Sequence, residues 1–211
     1  QSAVKLKNEH VARVIDVDAL ADGSPYIVME YLEGRDVGES LRSDGPLSVQ
    51  DAVGIILQVC EAVAEAHALG IVHRDLKPAN FFVTTHRDGT PLVKVLDFGI
   101  AKARAELEEG SVSLTLTRTL LGSPVYMSPE QVRSARTVDH RTDIWSLGVS
   151  LFEMLTDTVP FGGDTVTSVA AAVATDPVPP LAELRRDVPP GLVTVIERCL
   201  EKKPDLRFES V

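Results

Sequence analysis

Two short stretches near the start of the chain, Val11 to Asp18 and Tyr26 to Tyr31, read as strands, the first rich in β-branched residues. Ala21-Asp22-Gly23-Ser24 between them supplies turn chemistry, so the pair is expected as a hairpin. Ahead of it, Ser2 to Lys7 reads as the last turns of a helix that begins upstream. Helical patterning dominates after Gly34. Ser48 is a good N-cap with Asp51 three residues later, and Ala52, Ile56, Val59, Val63 and Ala66 then recur at steps of four and three, which makes one apolar helix face. Gln58, Glu61 and Glu65 lie opposite, and Gly70 supplies the stop. Two apolar runs, Phe81 to Val83 and Val93 to Leu96, flank a hairpin turn at Arg87-Asp88-Gly89-Thr90. Residues 104–123 are polar and weakly periodic, as in a mobile loop. Thr142 to Thr156 is nearly all apolar and reads as a buried core helix, with further helices at 166–174 and 191–201 separated by the Pro-rich run Asp176 to Pro180.

Composition narrows the function classes. Apolar residues make up 44% and charged residues 25% of the 211, as in an ordinary soluble globular domain. Lys and Arg number 21 against 31 Asp and Glu, a net charge of −10, which argues against a nucleic-acid groove. Cys60 and Cys199 sit inside apolar helical patterns without metal-ligand spacing, so buried free thiols in a reducing compartment are expected. No stretch approaches the roughly 18 apolar residues of a membrane span. The expected location is cytoplasmic, with any membrane anchor outside this segment.

Four short segments carry the chemistry. They are His73-Arg74-Asp75-Leu76-Lys77-Pro78-Ala79-Asn80, then Asp97-Phe98-Gly99, then Ser128-Pro129-Glu130, and finally Asp143-Ile144-Trp145-Ser146-Leu147-Gly148. Each alone is a weak signal, but four in this order and spacing are not coincidence. On them the sequence resembles the protein kinase family, and its bacterial serine/threonine members in particular. The resemblance implies an α+β fold: a mainly helical large lobe with a remnant β-hairpin of the small lobe. Residues 1–29 would be the small-lobe remnant, 30–34 the hinge, and 35–211 the large lobe with an activation segment at 97–130.

It also implies ATP and Mg²⁺ as cofactors. Phosphoryl transfer asks for positioning and charge neutralisation, so the metal must be held by hard oxygen ligands. Asn80 and Asp97 match the two metal-binding positions. Asp75 matches the residue that orients the incoming hydroxyl, and Lys77 is placed to hold the γ-phosphate. The Leu76-Lys77-Pro78-x-Asn80 pattern is similar to that of serine/threonine kinases, so the partners are protein substrates with Ser or Thr acceptors. Glu30 and Leu32 look like hinge positions that meet adenine through backbone groups, with Met29 as gatekeeper and Phe82 beneath the purine. Asp143 matches an aspartate that fixes the catalytic-loop backbone, and Arg207 would pair with Glu130. Arg74 is expected to engage a phosphothreonine in the loop, with Thr115 and Thr117 favoured as regulatory sites by their distance from Gly122. A homodimer for autophosphorylation is the further partner expected.

Ser123 and Ser128 depart from the family's usual Thr and Ala, and both keep or add a small hydroxyl. No glycine-rich phosphate loop and no Val-Ala-x-Lys strand occurs in the 211 residues, and Lys5 and Lys7 do not substitute, since they follow the expected helix position. The segment is therefore expected not to phosphorylate at a normal rate by itself. The alternative reading is a truncated regulatory module or pseudokinase that docks partners without turnover. The sequence immediately upstream would discriminate the two.

Overall fold

A computed structural model describes residues 6–22, 24–98, 124–134 and 138–211. Strands β1 (Val14–Ala19) and β2 (Pro25–Met29) pair antiparallel, with Val17 opposite Ile27 and Asp18 opposite Tyr26. The first strand begins three residues later than the sequence suggests. The backbone of Val95 explains the delay: it accepts from Ala12 N at 3.0 Å and donates to His10 O at 2.7 Å. That capture draws Val11 and Ala12 into the core and leaves only the following residues free to pair in the hairpin. Glu30 and Tyr31 likewise fall outside the second strand, although Glu30 N still donates to Arg13 O at 2.9 Å. Of the helix expected over Ser2 to Lys7, Leu6 and Lys7 carry no regular structure and the rest lies outside the described residues.

Gly34 ends the crossing strand-to-body segment at φ 145°, and a Cβ there would stand 2.0 Å from Val83 O, so only glycine lets the chain pass. A second sheet follows with the order β3-β4-β5, from Arg35–Asp36, Phe81–Thr85 and Pro91–Val95. The two-residue β3 has no periodic signal of its own; pairing with Val83 and Phe82 makes it a strand. Asp36 then caps helix α1 (Val37–Asp44) by accepting from Glu39 N.

Helix α2 (Val49–Ala68) starts and ends as the sequence predicts. Ser48 accepts from Asp51 N, and Gly70 takes φ 72° just past the C-terminus. Its buried face is Ala52, Val59, Ala62, Val63 and Ala66. Short α3 (Pro129–Arg133) opens on a capping box between Ser128 and Gln131. Helix α4 (Arg141–Thr156) is the axis of the body, buried continuously from Thr142 to Phe152. Helices α5 (Val166–Thr175), α6 (Leu181–Leu184) and α7 (Pro190–Cys199) complete the described residues' helical body. The backbones of α4 and α7 meet at Gly148, where an added Cβ would lie 2.6 Å from that of Cys199. Full burial of side chains such as Phe152 and Leu155 stabilises this body by about 1.5–3 kcal/mol each.

Arg207 closes the body from below with a buried guanidinium. It donates to both carboxylate oxygens of Glu130, at 2.6 and 2.9 Å, and to the carbonyls of Arg141 and Glu201. The expected Arg207–Glu130 pair is therefore present and bidentate, with the guanidinium wholly buried and the carboxylate partly exposed.

Candidate active site

The segment between α2 and β4 has to hold a difficult backbone. Arg74 takes φ 69° and, across the site, Asp97 takes φ 64°, values that cost a non-glycine residue about 1–3 kcal/mol unless the surroundings enforce them. For Arg74 the enforcement is visible. Asp143, fully buried on α4, accepts from His73 N through Oδ2 and from Arg74 N through Oδ1, both at 2.8 Å. Gln131 Nε2 donates to Arg74 O at 3.0 Å from the other side. His67, near the end of α2, brings its Nε2 to 2.8 Å from Asp143 Oδ2.

The ring of His73 ties this loop to the strand that leads to Asp97. Its Nε2 lies 3.0 Å from Leu96 O, which can only accept, so Nε2 carries the hydrogen. Nδ1 is then left to accept from Asp75 N at 3.3 Å. Phe98 packs edge-on against the same ring, with centroids 4.7 Å apart.

Beyond Arg74 the functional groups gather. Lys77 Nζ reaches both oxygens of Asp75, at 2.8 and 3.1 Å, and the carboxylate remains about half exposed. Asn80 Nδ2 donates to Asp75 O at 2.7 Å, while Asn80 O accepts from Leu96 N at 2.9 Å. One residue, Asn80, is thus bonded both to Asp75 and to the residue that precedes Asp97. Asp97 itself is exposed.

Tyr126 donates to Glu153 Oε2 at 2.6 Å beside this cluster. Burial first, then the Glu153 carboxylate and Asp75, push the phenol far above its ordinary range. Burial also raises the Glu153 carboxyl, aided by Asp157 and opposed by the Tyr126 hydrogen bond.

Just after β2, burial would raise the Glu30 carboxyl, but hydrogen bonds from Arg13 N (2.8 Å) and Lys94 Nζ (3.0 Å) win and hold it low. Phe82 lies against Gly34 at the far end of the same segment. Leu32 is partly buried, and its N–H has no protein partner among the described residues.

Residues 1–210 match the family profile described as the protein kinase domain. The chain belongs to the protein kinase family. Over 214 aligned residues it is 40% identical to serine/threonine-protein kinase PknB of Mycolicibacterium smegmatis, which covers 100% of this chain and 33% of that protein. With serine/threonine-protein kinase pkn3 of Myxococcus xanthus it shares 37% identity over 97% of this chain and 37% of that protein. The chain therefore spans about a third of the length of these curated relatives. Among solved structures it is similar to the PknI kinase domain of Mycobacterium tuberculosis, with a TM-score of 0.73 and 26% identity over 99% of this chain and 71% of that one. The α+β fold and the placement among bacterial eukaryotic-like serine/threonine kinases expected from the motifs both hold.

Within this kinase chain, Asp75, Lys77 and Asn80 form one bonded group, and the backbone of Asn80 is bonded to Leu96, the residue before Asp97. Arg74 lies in the same loop, but Thr115 and Thr117 fall outside the described residues. Sequence reasoning did not find His67, Gln131 or Lys94. Each acts on a residue at least 57 positions away, so no local spacing reveals the pairing. For His67 the one local hint is a histidine closing a helix just before its terminal glycine.

Proposed function

We propose that the protein to which this chain belongs transfers the γ-phosphoryl group of ATP to serine or threonine hydroxyls of other proteins. The observation that carries this reading is the bonded group of Asp75, Lys77 and Asn80, whose backbone is anchored to the residue before Asp97. Asp75 accepts a hydrogen bond from the substrate hydroxyl and aims its oxygen at the phosphorus. With an ordinary carboxyl pKa of about 3.9 an aspartate is a weak base, so orientation is its main contribution in a loose transition state. Lys77 holds its ammonium over Asp75 until a phosphate oxygen shares it, which frees the carboxylate for the hydroxyl.

The donor set fits magnesium. Asn80 commits its amide nitrogen to Asp75 O, which leaves the carboxamide oxygen for a cation, and Asp97 adds an exposed carboxylate. Among the described residues no group of three or more His, Cys, Asp or Glu could hold a metal ion. Two protein oxygens completed by phosphate and water is the usual magnesium arrangement with a nucleotide. When bound, the ion neutralises charge on the phosphates.

In this reading 1–29 is the remnant of the small lobe, 30–34 the hinge that meets adenine through Glu30 and Leu32, with Phe82 beneath, and 35–211 the large lobe with its activation segment at 97–130. Arg74 receives a phosphorylated Thr115 or Thr117, installed between two copies of the kinase. No helix among the described residues is long and apolar enough to cross a membrane. In this reading the catalytic part works in the cytoplasm. Transfer by the 211-residue segment alone is slow, because the glycine-rich loop and the ATP-binding lysine are not within it.

The test uses the full-length protein with magnesium and labelled ATP. Asp97→Asn is expected to lower kcat by on the order of 10² to 10³ and to weaken the dependence on magnesium. An unchanged rate and magnesium profile would remove Asp97 from the metal site.

A further inference from the structure

Gln131 completes a helix cap that would need only half of its amide. Its Oε1 accepts from Ser128 N at 3.0 Å, and Ser128 Oγ accepts from Gln131 N at 3.3 Å, the reciprocal pair of the capping box that opens α3. A glutamate at this position serves such a cap equally well. The other half of the amide leaves the helix: Nε2 donates to Arg74 O at 3.0 Å, 57 positions earlier in the chain. The orientation is unambiguous. Ser128 N can only donate and Arg74 O can only accept, so the carboxamide oxygen faces the cap and the nitrogen faces the loop. Thr142 Oγ1, fully buried on α4, gives the same oxygen a second donor at 2.7 Å. With its hydrogen spent there, Thr142 accepts from Ser128 Oγ at 2.7 Å. The ring of bonds is closed, and the amide cannot turn without breaking both bonds to Oε1.

We infer that Gln131 is a positioning residue for phosphoryl transfer: it locks the peptide plane between Arg74 and Asp75, and with it the direction in which the Asp75 side chain leaves the chain. The inference rests on the kinase reading above. Asp143 holds the two preceding peptides, through His73 N and Arg74 N. Among the described residues neither of its oxygens reaches the peptide that joins Arg74 to Asp75. That peptide has its own two holders. Its carbonyl accepts from Gln131, and its N–H donates to His73 Nδ1 over a longer 3.3 Å. Arg74 already sits at a costly φ of 69°, so this peptide is where the loop can relax. A flip would turn the Arg74 oxygen away and swing Asp75 with it. The bond from Gln131 removes that alternative. Since Ser128 lies within the 97–130 segment, the same amide also ties the end of that segment to the loop. Among the described residues none of its bonds reaches Asn80 or Asp97. Loss of the Gln131 donor therefore changes the rate of transfer while leaving nucleotide binding in place.

Two substitutions in the full-length protein separate the cap from the hold on the loop. Gln131→Glu keeps the acceptor for Ser128 N and Thr142 and loses the donor to Arg74 O. Gln131→Met loses both. Gln131→Glu is expected to lower kcat by on the order of tenfold, with the KM for ATP within about twofold and the denaturation midpoint near that of the wild type. Gln131→Met is expected to show the same loss of rate with a lowered midpoint. Amide hydrogen exchange supplies a readout independent of turnover. The Asp75 N–H should exchange faster by about tenfold in both variants, while His73 and Arg74, held by Asp143, exchange as in the wild type. A wild-type rate or unaltered Asp75 exchange in Gln131→Glu would overturn the inference, and so would an equal rise at all three amides, the mark of general loosening. Wild-type protein and Asp75→Asn run alongside: absence of wild-type transfer sinks the kinase reading, and the exchange comparison then decides the role of Gln131 by itself.

Discussion

Aspartates in two regions of this chain meet opposite fates. In the β1–β2 hairpin, Asp16 and Asp18 are exposed and, among the described residues, each accepts only from the backbone N–H of the very next residue, Val17 or Ala19. On α4, Asp143 is fully buried and draws together groups 69 to 76 positions away, from the end of α2 and from the backbone of His73 and Arg74. The apolar residues follow the same division. Ile15 and Val17 of the hairpin are 59% and 56% exposed, whereas Ile144 and Leu147, close to Asp143 on α4, are buried to within a few per cent. A side chain's contribution here is set by what surrounds it more than by its type. The hairpin is a two-stranded layer open to water, and such a layer adds little stability by itself. The helical body fixes strained backbone because the groups that grip it, the buried Asp143 carboxylate above all, are partnered away from bulk water.

The contrast can be pressed from both sides. The largest expected loss of stability comes from Arg207→Leu, which strands the Glu130 carboxylate beneath the body. Breaking a buried pair from one side costs about 3–5 kcal/mol, read as a shift in the denaturation midpoint of the chain. A loss below about 1 kcal/mol would mean that solvent at the exposed part of Glu130 satisfies its charge without Arg207.

A smaller effect is expected at Glu153, and its sign follows from its raised carboxyl. The folded chain holds the Glu153 proton at pH values where the unfolded chain has released it. The stabilisation is therefore complete below the ordinary carboxylate range and is lost as pH rises through the elevated folded value. In Glu153→Gln that component of the pH–stability curve should vanish while the Tyr126 phenol keeps an acceptor. An identical curve in both proteins would contradict the assigned burial.

The smallest effect is expected in the hairpin. Ile15→Thr and Val17→Thr in the 211-residue chain should change stability by no more than about 0.5 kcal/mol, measured by the same denaturation. A larger loss would show that another part of the chain covers this face.

Legibility in the sequence divides along the same line. The helices at 49–68 and 141–156 are legible because one cap or one apolar run suffices, and the candidate residues of the 73–80 loop stand out because they lie within eight positions. The start of the first strand is not legible in the sequence, because Val95, more than 80 residues on, captures Ala12. β3 was invisible because two residues have no period. The hydrogen bonds of His67 to Asp143 and of Lys94 to Glu30 join distant segments, and a single sequence gives no way to pair them.

The central claim is that the bonded group around Asp75 does the work of transfer, and Asp75→Asn in the full-length protein tests it most directly. Single-turnover phosphorylation of a serine- or threonine-containing protein substrate should slow by on the order of 10² to 10⁴ while ATP still binds with near-normal affinity. Transfer at close to the wild-type rate would contradict the account.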